Sequence, residues 1–98
     1  MFKYEITFRL DSNTETYKQR YNKLIELSFY QDETTSTLFF ESDKGIEDFI
    51  KYIYKECNLV KTDTLLVMQI FKGKIIDLYK VNNGKMGQQS KILNWLKA

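Results

Sequence analysis

Apolar and polar side chains alternate strictly at the start of the chain. From Phe2 to Asp11 every second residue is aliphatic or aromatic, and each residue between them is polar or charged. A period of two separates the side chains onto the two sides of an extended backbone, so this stretch predicts a half-buried strand. The stretch Thr64–Phe71, TLLVMQIF, is instead apolar on both sides. It predicts a strand that is covered on both faces.

Two later stretches have the spacing of amphipathic helices. Ser12 and Glu15 have the capping-box spacing, and the apolar stripe after them predicts a helix of about four turns that ends near Ser28. Ser42 or Asp43 is expected to cap a second helix. The apolar stripe of this second helix recurs at spacings of three and four, at Ile46, Phe49, Ile50, Ile53 and Cys57.

The segments between and after the helices are rich in β-branched and aromatic residues or in turn formers, which predicts strands joined by turns. In chain order these are a short strand at Phe29-Tyr30, a turn over 31–33, a strand from Thr34 to Glu41, a tight turn over 72–74, a strand from Ile75 to Val81 and a loop over 82–87.

This order of elements favours a two-layer α+β sandwich. The succession strand, helix, strand, strand, helix, strand is the ferredoxin-like pattern, in which an antiparallel sheet carries two helices on one face. Residues 1–82 are therefore expected to form a ferredoxin-like α+β domain. Residues 83–98 are expected to form a C-terminal extension, a basic tail with a short helix that Ser90 caps.

The 98 residues include no His and one Cys. Without imidazole groups the chain lacks the commonest general base, His-containing triads and His-based metal sites. Cys57 lies on the apolar stripe of the second helix and is interpreted as a buried hydrophobic residue, so carboxylates remain as the catalytic groups. One Cys suits a reducing compartment, and no stretch approaches the roughly 18 apolar residues of a membrane span. We therefore expect a cytoplasmic protein without a signal peptide or membrane association.

The net charge of +2 conceals an uneven distribution. Residues 72–98 contain six lysines against one acidic residue, Asp77. Such a basic segment attracts phosphate groups or acidic protein surfaces, and it also serves as a solubilising tail. The candidates for nucleic-acid binding in this segment are Lys72, Lys74, Lys85, Lys91 and Lys97.

The element order, the size and the stretch IEDFIKYIYKECNLVKTDTLLVMQI carry a resemblance to a known group of proteins. Over residues 3–82 the chain resembles small ferredoxin-fold proteins related to the CRISPR adaptation nuclease subunit, and it is similar to the antitoxin ribonucleases of that fold. The resemblance implies a homodimer formed through sheet edges and the exposed sheet face.

The resemblance also implies a place for catalysis. Nuclease members of these families use an acidic residue at the end of the first strand, commonly just after an aromatic residue. Here Arg9 follows Phe8, and the nearest acid is Asp11, so the chain departs from that pattern. If the chain is a nuclease, Asp11 and its symmetry mate are the candidates to hold Mg²⁺ or Mn²⁺. No other cofactor or metal site is expected.

The doubly apolar strand predicts that the second face of the sheet is covered as well. We expect Leu65, Val67 and Phe71 to form an apolar patch on the face without helices, and such a patch does not remain open to water. Either the tail with Trp95 or a second protomer covers this patch. We expect a homodimer to which both contribute.

These features favour a small non-enzymatic binding protein. It would act by protein–protein interaction with an unidentified partner, as antitoxin-like proteins and phage-type inhibitors do. Tyr52 and Tyr54 lie beside the main stripe of the second helix and are further partner-binding candidates, because Tyr is favoured at interfaces. The alternatives are a metal-dependent endoribonuclease or other nuclease of the ferredoxin-fold type and a non-specific nucleic-acid binder.

Overall fold

The computed structural model describes residues 1–32 and 35–98. Within them the chain forms six strands and three helices. These are, in chain order, β1 (Phe2–Arg9), α1 (Tyr17–Leu27), β2 (Tyr30–Asp32), β3 (Thr37–Ser42), α2 (Ile46–Glu56), β4 (Thr64–Phe71), β5 (Lys74–Asn82), β6 (Lys85–Gln88) and α3 (Ser90–Lys97). The predicted turn over 31–33 is wrong at Gln31 and Asp32, which belong to β2, and the strand predicted from Thr34 begins at Thr37. Glu33 and Thr34 lie outside the described residues.

The six strands form one antiparallel sheet in the order β2-β3-β1-β4-β5-β6. β1 lies near the centre, where Tyr4 faces Phe40 of β3 on one side and Gln69 of β4 on the other. The register between β4 and β5 shifts at Gln69/Ile70, so a bulge interrupts this pair near one end of the sheet. The protein is therefore an α+β fold, as the succession of elements predicted.

The main core lies between the sheet and the helices α1 and α2, and we call this side of the sheet the inner face. Tyr4 of β1 stacks on Phe49 of α2, with ring centroids 4.1 Å apart and planes 7° apart. Leu24 is the fully buried apolar residue of α1 in the same core. The predicted stripe of α2 is confirmed, because all five of its members are buried: Ile46, Phe49, Ile50, Ile53 and Cys57.

The third helix packs on the opposite side of the sheet, the outer face. The register pairs Met68 with Leu78 and Val67 with Tyr79, so Leu78 points away from the main core. Leu78 is 2% exposed because α3 lies against β5, and Leu93 of α3 is buried there as well. The C-terminal segment thus folds back onto the sheet, but it covers the outer face only over β5.

The expectation that Leu65 and Val67 lie on an open face is wrong. Both are fully buried in the core with α1 and α2, so neither is available to a partner. The outward-pointing residues of β4 are Leu66, Met68 and Ile70, which are half-buried. A strand that is apolar on both sides does not indicate which side takes the helices, and a shift of one residue exchanges the two faces.

Three local predictions also differ from the structure. No capping box forms, since α1 begins at Tyr17 and no side chain caps it. Gly45 precedes α2 in place of the predicted Ser42 or Asp43 cap. The segment predicted as a loop over 82–87 is a tight turn followed by β6, because Asn83 and Gly84 both adopt the positive φ that a two-residue hairpin turn requires.

Candidate binding surface

Asp11, the catalytic candidate, lies just after β1 and stabilises the turn that leads into α1. Its Oδ2 accepts a hydrogen bond from the Thr62 hydroxyl at 2.7 Å, and its Oδ1 accepts one from the Asn13 backbone N–H at 3.0 Å. These two hydrogen bonds hold the pKa of Asp11 below its usual range, the bond from Thr62 most strongly. Both carboxylate oxygens therefore have hydrogen-bonding partners within the fold.

The lowered pKa of Asp11 predicts an acid-sensitive contribution to stability. A carboxylate whose pKa is lower in the folded state stabilises the fold above its ordinary pKa of about 3.9, and this contribution is lost as the pH falls through the folded value. We expect Asp11→Asn to unfold at a lower urea concentration than the unmodified protein at pH 7, with the difference shrinking below about pH 4. Urea titrations at several pH values measure it. The exposed Glu15→Gln is the control, and an equal pH dependence in that variant would contradict the assignment.

A buried ion pair that the sequence did not point to lies beside Asp11. Arg20 and Asp63 are 1% and 0% exposed, and the Arg20 guanidinium donates to both Asp63 carboxylate oxygens at 2.9 and 3.0 Å. Asp63 also accepts from the backbone N–H groups of Asp11 and Val60. The remaining Arg20 donors reach the Asp11 carbonyl and the hydroxyls of Thr14 and Thr16. Every polar group of the pair is thus satisfied, which suits a structural role.

Cys57 is a buried thiol, as its place on the α2 stripe predicted. It is 2% exposed, and burial raises its pKa to about 11. A thiol with so high a pKa carries almost no thiolate near neutral pH, and thiolate is the nucleophilic form. Cys57 therefore contributes packing to the core.

The outer face carries a cluster of aromatic residues where α3 does not reach. Phe29 and Tyr30 are 75% and 59% exposed, and Tyr30 packs beside Phe39 of β3 with ring centroids 5.8 Å apart. Together with Ile70 of β4 they line an open groove of about 370 Å³. We call these four residues, Phe29, Tyr30, Phe39 and Ile70, the aromatic patch. Exposed apolar area of this kind is typical of an interaction surface.

The aromatic patch continues toward α3 through two neighbouring grooves. Ile70 also lines a groove of about 620 Å³ at the end of the sheet, together with Phe2, Phe71 and Ile76. Ile76 in turn lines a groove of about 580 Å³ with Leu96 at the end of α3. The shared residues Ile70 and Ile76 make the three grooves one continuous apolar surface.

The charged residues beside the aromatic patch nearly balance one another. Lys3 of β1 and Glu41 of β3 are exposed, directly opposite each other in the register, and both line the groove of the patch. Farther along β1, Glu5 and Arg9 point to the same outer face. Asp32 of β2 points to this face as well, because its register partner Thr37 pairs with Thr7 of β1. With two positive and three negative groups, this part of the outer face is close to neutral.

The structure does not gather the five candidate lysines into one patch. Lys74 lines a groove with Lys97, and Lys72 lies in the adjoining β4–β5 turn, where its ammonium group lies 5.3 Å from the centroid of the Phe71 ring. Lys85 follows the turn at the other end of β5, which is roughly 30 Å long at about 3.3 Å per residue. Lys91 lies in the first turn of α3.

The other partner-binding candidates have separate surroundings. Phe71 and Trp95 are 59% and 75% exposed, which leaves both accessible. Tyr52 is half-buried, and the Lys44 ammonium lies 4.9 Å from its ring centroid. Tyr54 is also half-buried, and its hydroxyl donates to the Asp63 carbonyl oxygen at 3.1 Å. Phe29, Tyr30 and Phe39 were not among the predicted interface residues, although the TLFFES stretch showed adjacent aromatic residues on opposite faces of one strand.

Two further findings limit the kinds of site on the described residues. Nowhere in 1–32 or 35–98 do three His, Cys, Asp or Glu side chains lie close enough together to hold a metal ion. Of the helices in these ranges, none is both long enough and apolar enough to cross a membrane.

Comparison with known proteins adds no relative, because no family model, no curated protein and no solved structure matches this chain.

Proposed function

We propose that this protein is a non-enzymatic binding protein that acts through the outer face of its sheet. The observation that carries the proposal is the aromatic patch, which places three aromatic residues and Ile70 on a sheet face that α3 leaves open. Tyr and Phe are enriched at the centres of protein interfaces, where they bury large areas at a small cost in conformational entropy. A partner that covers this patch removes it from water.

The strand order supports a ferredoxin-like assignment for the first six elements. β2-β3-β1-β4 with α1 after β1 and α2 after β3 is the arrangement of two interleaved β-α-β units. β5, β6 and α3 then extend the sheet at the β4 side and cover part of its outer face. In this assignment the extension leaves open the outer face over β2, β3 and β1 and the neighbouring Ile70 of β4.

Of the possible partners, a second copy of the chain is the one that the charges of this surface favour. In a two-fold symmetric contact the same surface of both protomers forms the interface. Each positive group of one protomer must therefore lie against a negative group of the other. Lys3 and Glu41 lie side by side, and a two-fold rotation can place Lys3 of one protomer against Glu41 of the other. The near-neutral outer face avoids like-charge repulsion, and the same neutrality gives little attraction for a polyanionic nucleic acid.

Binding of a different protein would use the surface that the homodimer leaves accessible. Phe71 and the sheet-end groove adjoin the aromatic patch, and Trp95 is exposed on α3. This arrangement supports an antitoxin-like or inhibitor-like role, in which the protein acts by covering a surface of its target. The hydrogen bonds of Asp11 support a structural role for that residue and give no support to the nuclease alternative.

The homodimer predicts a measurable mass and a specific response to charge reversal. Light scattering at tens of micromolar protein is expected to give twice the chain mass of 11.8 kDa. Lys3→Glu and Glu41→Lys each create a repulsive contact and are expected to weaken the dimer by about threefold to tenfold. The double variant restores opposite charges and is expected to recover most of the affinity. A mass near 11.8 kDa for the unmodified chain, or additive weakening in the double variant, contradicts the proposed contact.

A further inference from the structure

A second surface, on the side of α2, has the features of a small-ligand site. A groove of about 700 Å³ lies between the second half of α2, the segment before β4 and the β5–β6 hairpin. Its floor is apolar, and four of the residues that form it are Ile50, Leu59, Val81 and Met86. Grooves of this volume with an apolar lining and a few polar groups are typical of small-molecule sites. This groove is separate from the aromatic patch and shares no residue with it.

Three cationic groups surround this floor, each from a different part of the fold. Lys51 comes from α2, Lys61 from the segment before β4, and Lys85 from the first position of β6. All three side chains are exposed, and in the described ranges no ion pair within 4.0 Å involves any of them. The groove lining, as far as the structure describes it, contains no carboxylate. The charge of the groove is therefore positive and uncompensated.

Two acidic side chains of the neighbouring elements are engaged elsewhere. Glu47 lies one turn before Lys51 on α2, and its Oε1 accepts a hydrogen bond from the Tyr79 hydroxyl at 3.3 Å. The Asp63 carboxylate is buried against Arg20, and only its carbonyl oxygen reaches toward the groove, where it accepts from Tyr54. Neither of these two carboxylates is part of the groove lining, so an anion in the groove does not contact them.

The hairpin turn fixes the position of two of the cations. Gly84 has a φ of +76°, and a Cβ at this position would lie 3.4 Å from Cγ of Lys61. The aliphatic stem of Lys61 therefore packs against the turn, while the turn itself places Lys85 at the rim of the groove. This packing leaves the Lys61 ammonium group at the end of a supported stem, which lowers the entropy lost when it binds an anion.

We propose that this groove binds an organic phosphate, a phosphate monoester attached to an apolar or aromatic body. The body would lie on the apolar floor, and the phosphate would contact the ammonium groups of Lys51, Lys61 and Lys85. Lysine binds phosphate as a compact point charge, and three ammonium groups match the charge of a phosphate dianion better than that of a single carboxylate. An apolar floor beside a positively charged rim fits a ligand that has both an apolar body and a phosphate group. Inorganic phosphate would use the rim alone.

The experiment titrates the full chain with phenyl phosphate, inorganic phosphate and adenosine monophosphate, and follows the amide resonances by NMR. Phenyl phosphate is expected to shift the amides of 50–61 and 81–86 and to bind at least about tenfold more tightly than inorganic phosphate, because only phenyl phosphate uses the floor. Tighter binding of adenosine monophosphate than of phenyl phosphate would support the same site with a nucleotide as the ligand.

Matched lysine variants separate the site from general attraction to a basic protein. Lys61→Met keeps the stem that packs on Gly84 and removes the charge, and it is expected to weaken phenyl phosphate binding by about tenfold. Lys97→Met removes a similar exposed charge on α3 and is expected to leave the affinity unchanged. Equal effects of the two variants, equal binding of inorganic and phenyl phosphate, or no shifts at millimolar ligand would each overturn the proposal.

Discussion

Replacement of Asp63 by asparagine is expected to lower the free energy of unfolding by about 3–5 kcal/mol. The Asp63 carboxylate is 0% exposed and accepts four hydrogen bonds, two of them from the Arg20 guanidinium. Asparagine keeps the shape but leaves the buried Arg20 charge without a counter-ion. A domain of this size has about 5–15 kcal/mol of stability in total, so the variant loses a large share of it and at the lower end of that range would be close to unfolded. Urea denaturation followed by circular dichroism measures the loss.

An exposed ion pair of the same chain provides the control. Lys23 and Glu26 lie one turn apart on α1 with 3.7 Å between their charged atoms, and both side chains reach solvent. Lys23→Ala is expected to cost less than about 1 kcal/mol, because water and salt screen an exposed pair. Similar losses in the Asp63 and Lys23 variants would contradict a structural role for the buried pair. Arg20→Met combined with Asp63→Leu removes both charges and is expected to be more stable than Asp63→Asn alone.

The spacing of apolar side chains along the chain predicted the elements that pack one side against the core. The alternation of β1 and the stripe of α2 each depend on which side chains face a single core, so their positions follow from periodicity alone. The Arg20–Asp63 pair could not be found this way. Its two members are 43 residues apart in sequence, and each looks like an ordinary surface residue until the fold brings them together. The sequence contains no signal that distinguishes Arg20 from Arg9.

For the candidate surface, too, the sequence predicted the general feature but not the residues that form it. The sequence predicted an apolar surface on the second sheet face, and such a surface is present, but its residues are different. Leu65 and Val67 face the core, and the aromatic patch uses Phe29 and Tyr30. Which side of a doubly apolar strand receives the helices depends on the register with β1, and register is a long-range property. The place where α3 docks decides which outward residues remain exposed, and this too depends on contacts that sequence spacing does not encode.

The aromatic patch carries the largest expected effect on association. Replacing both Phe29 and Tyr30 by aspartate is expected to weaken the homodimer at least about 100-fold, because two aromatic contacts near an interface centre contribute about 2 kcal/mol or more each. Both side chains are largely exposed in the protomer, so the fold itself should change little. Sedimentation over a range of concentrations measures the dissociation constant, and circular dichroism checks the fold.

Trp95 allows a matched test of where the interface lies. Its exposed fraction, 75%, equals that of Phe29, but it lies on α3 at the other side of the open surface. Trp95→Asp therefore removes an equally exposed aromatic residue outside the aromatic patch, and it is expected to change the dissociation constant by less than about threefold. If Trp95→Asp dissociates the dimer while the Phe29 and Tyr30 variant does not, the contact is made by α3 and the proposed surface is wrong. If the patch variant alone dissociates the dimer, α3 is left free, with Trp95 and Leu96 available to bind a different protein.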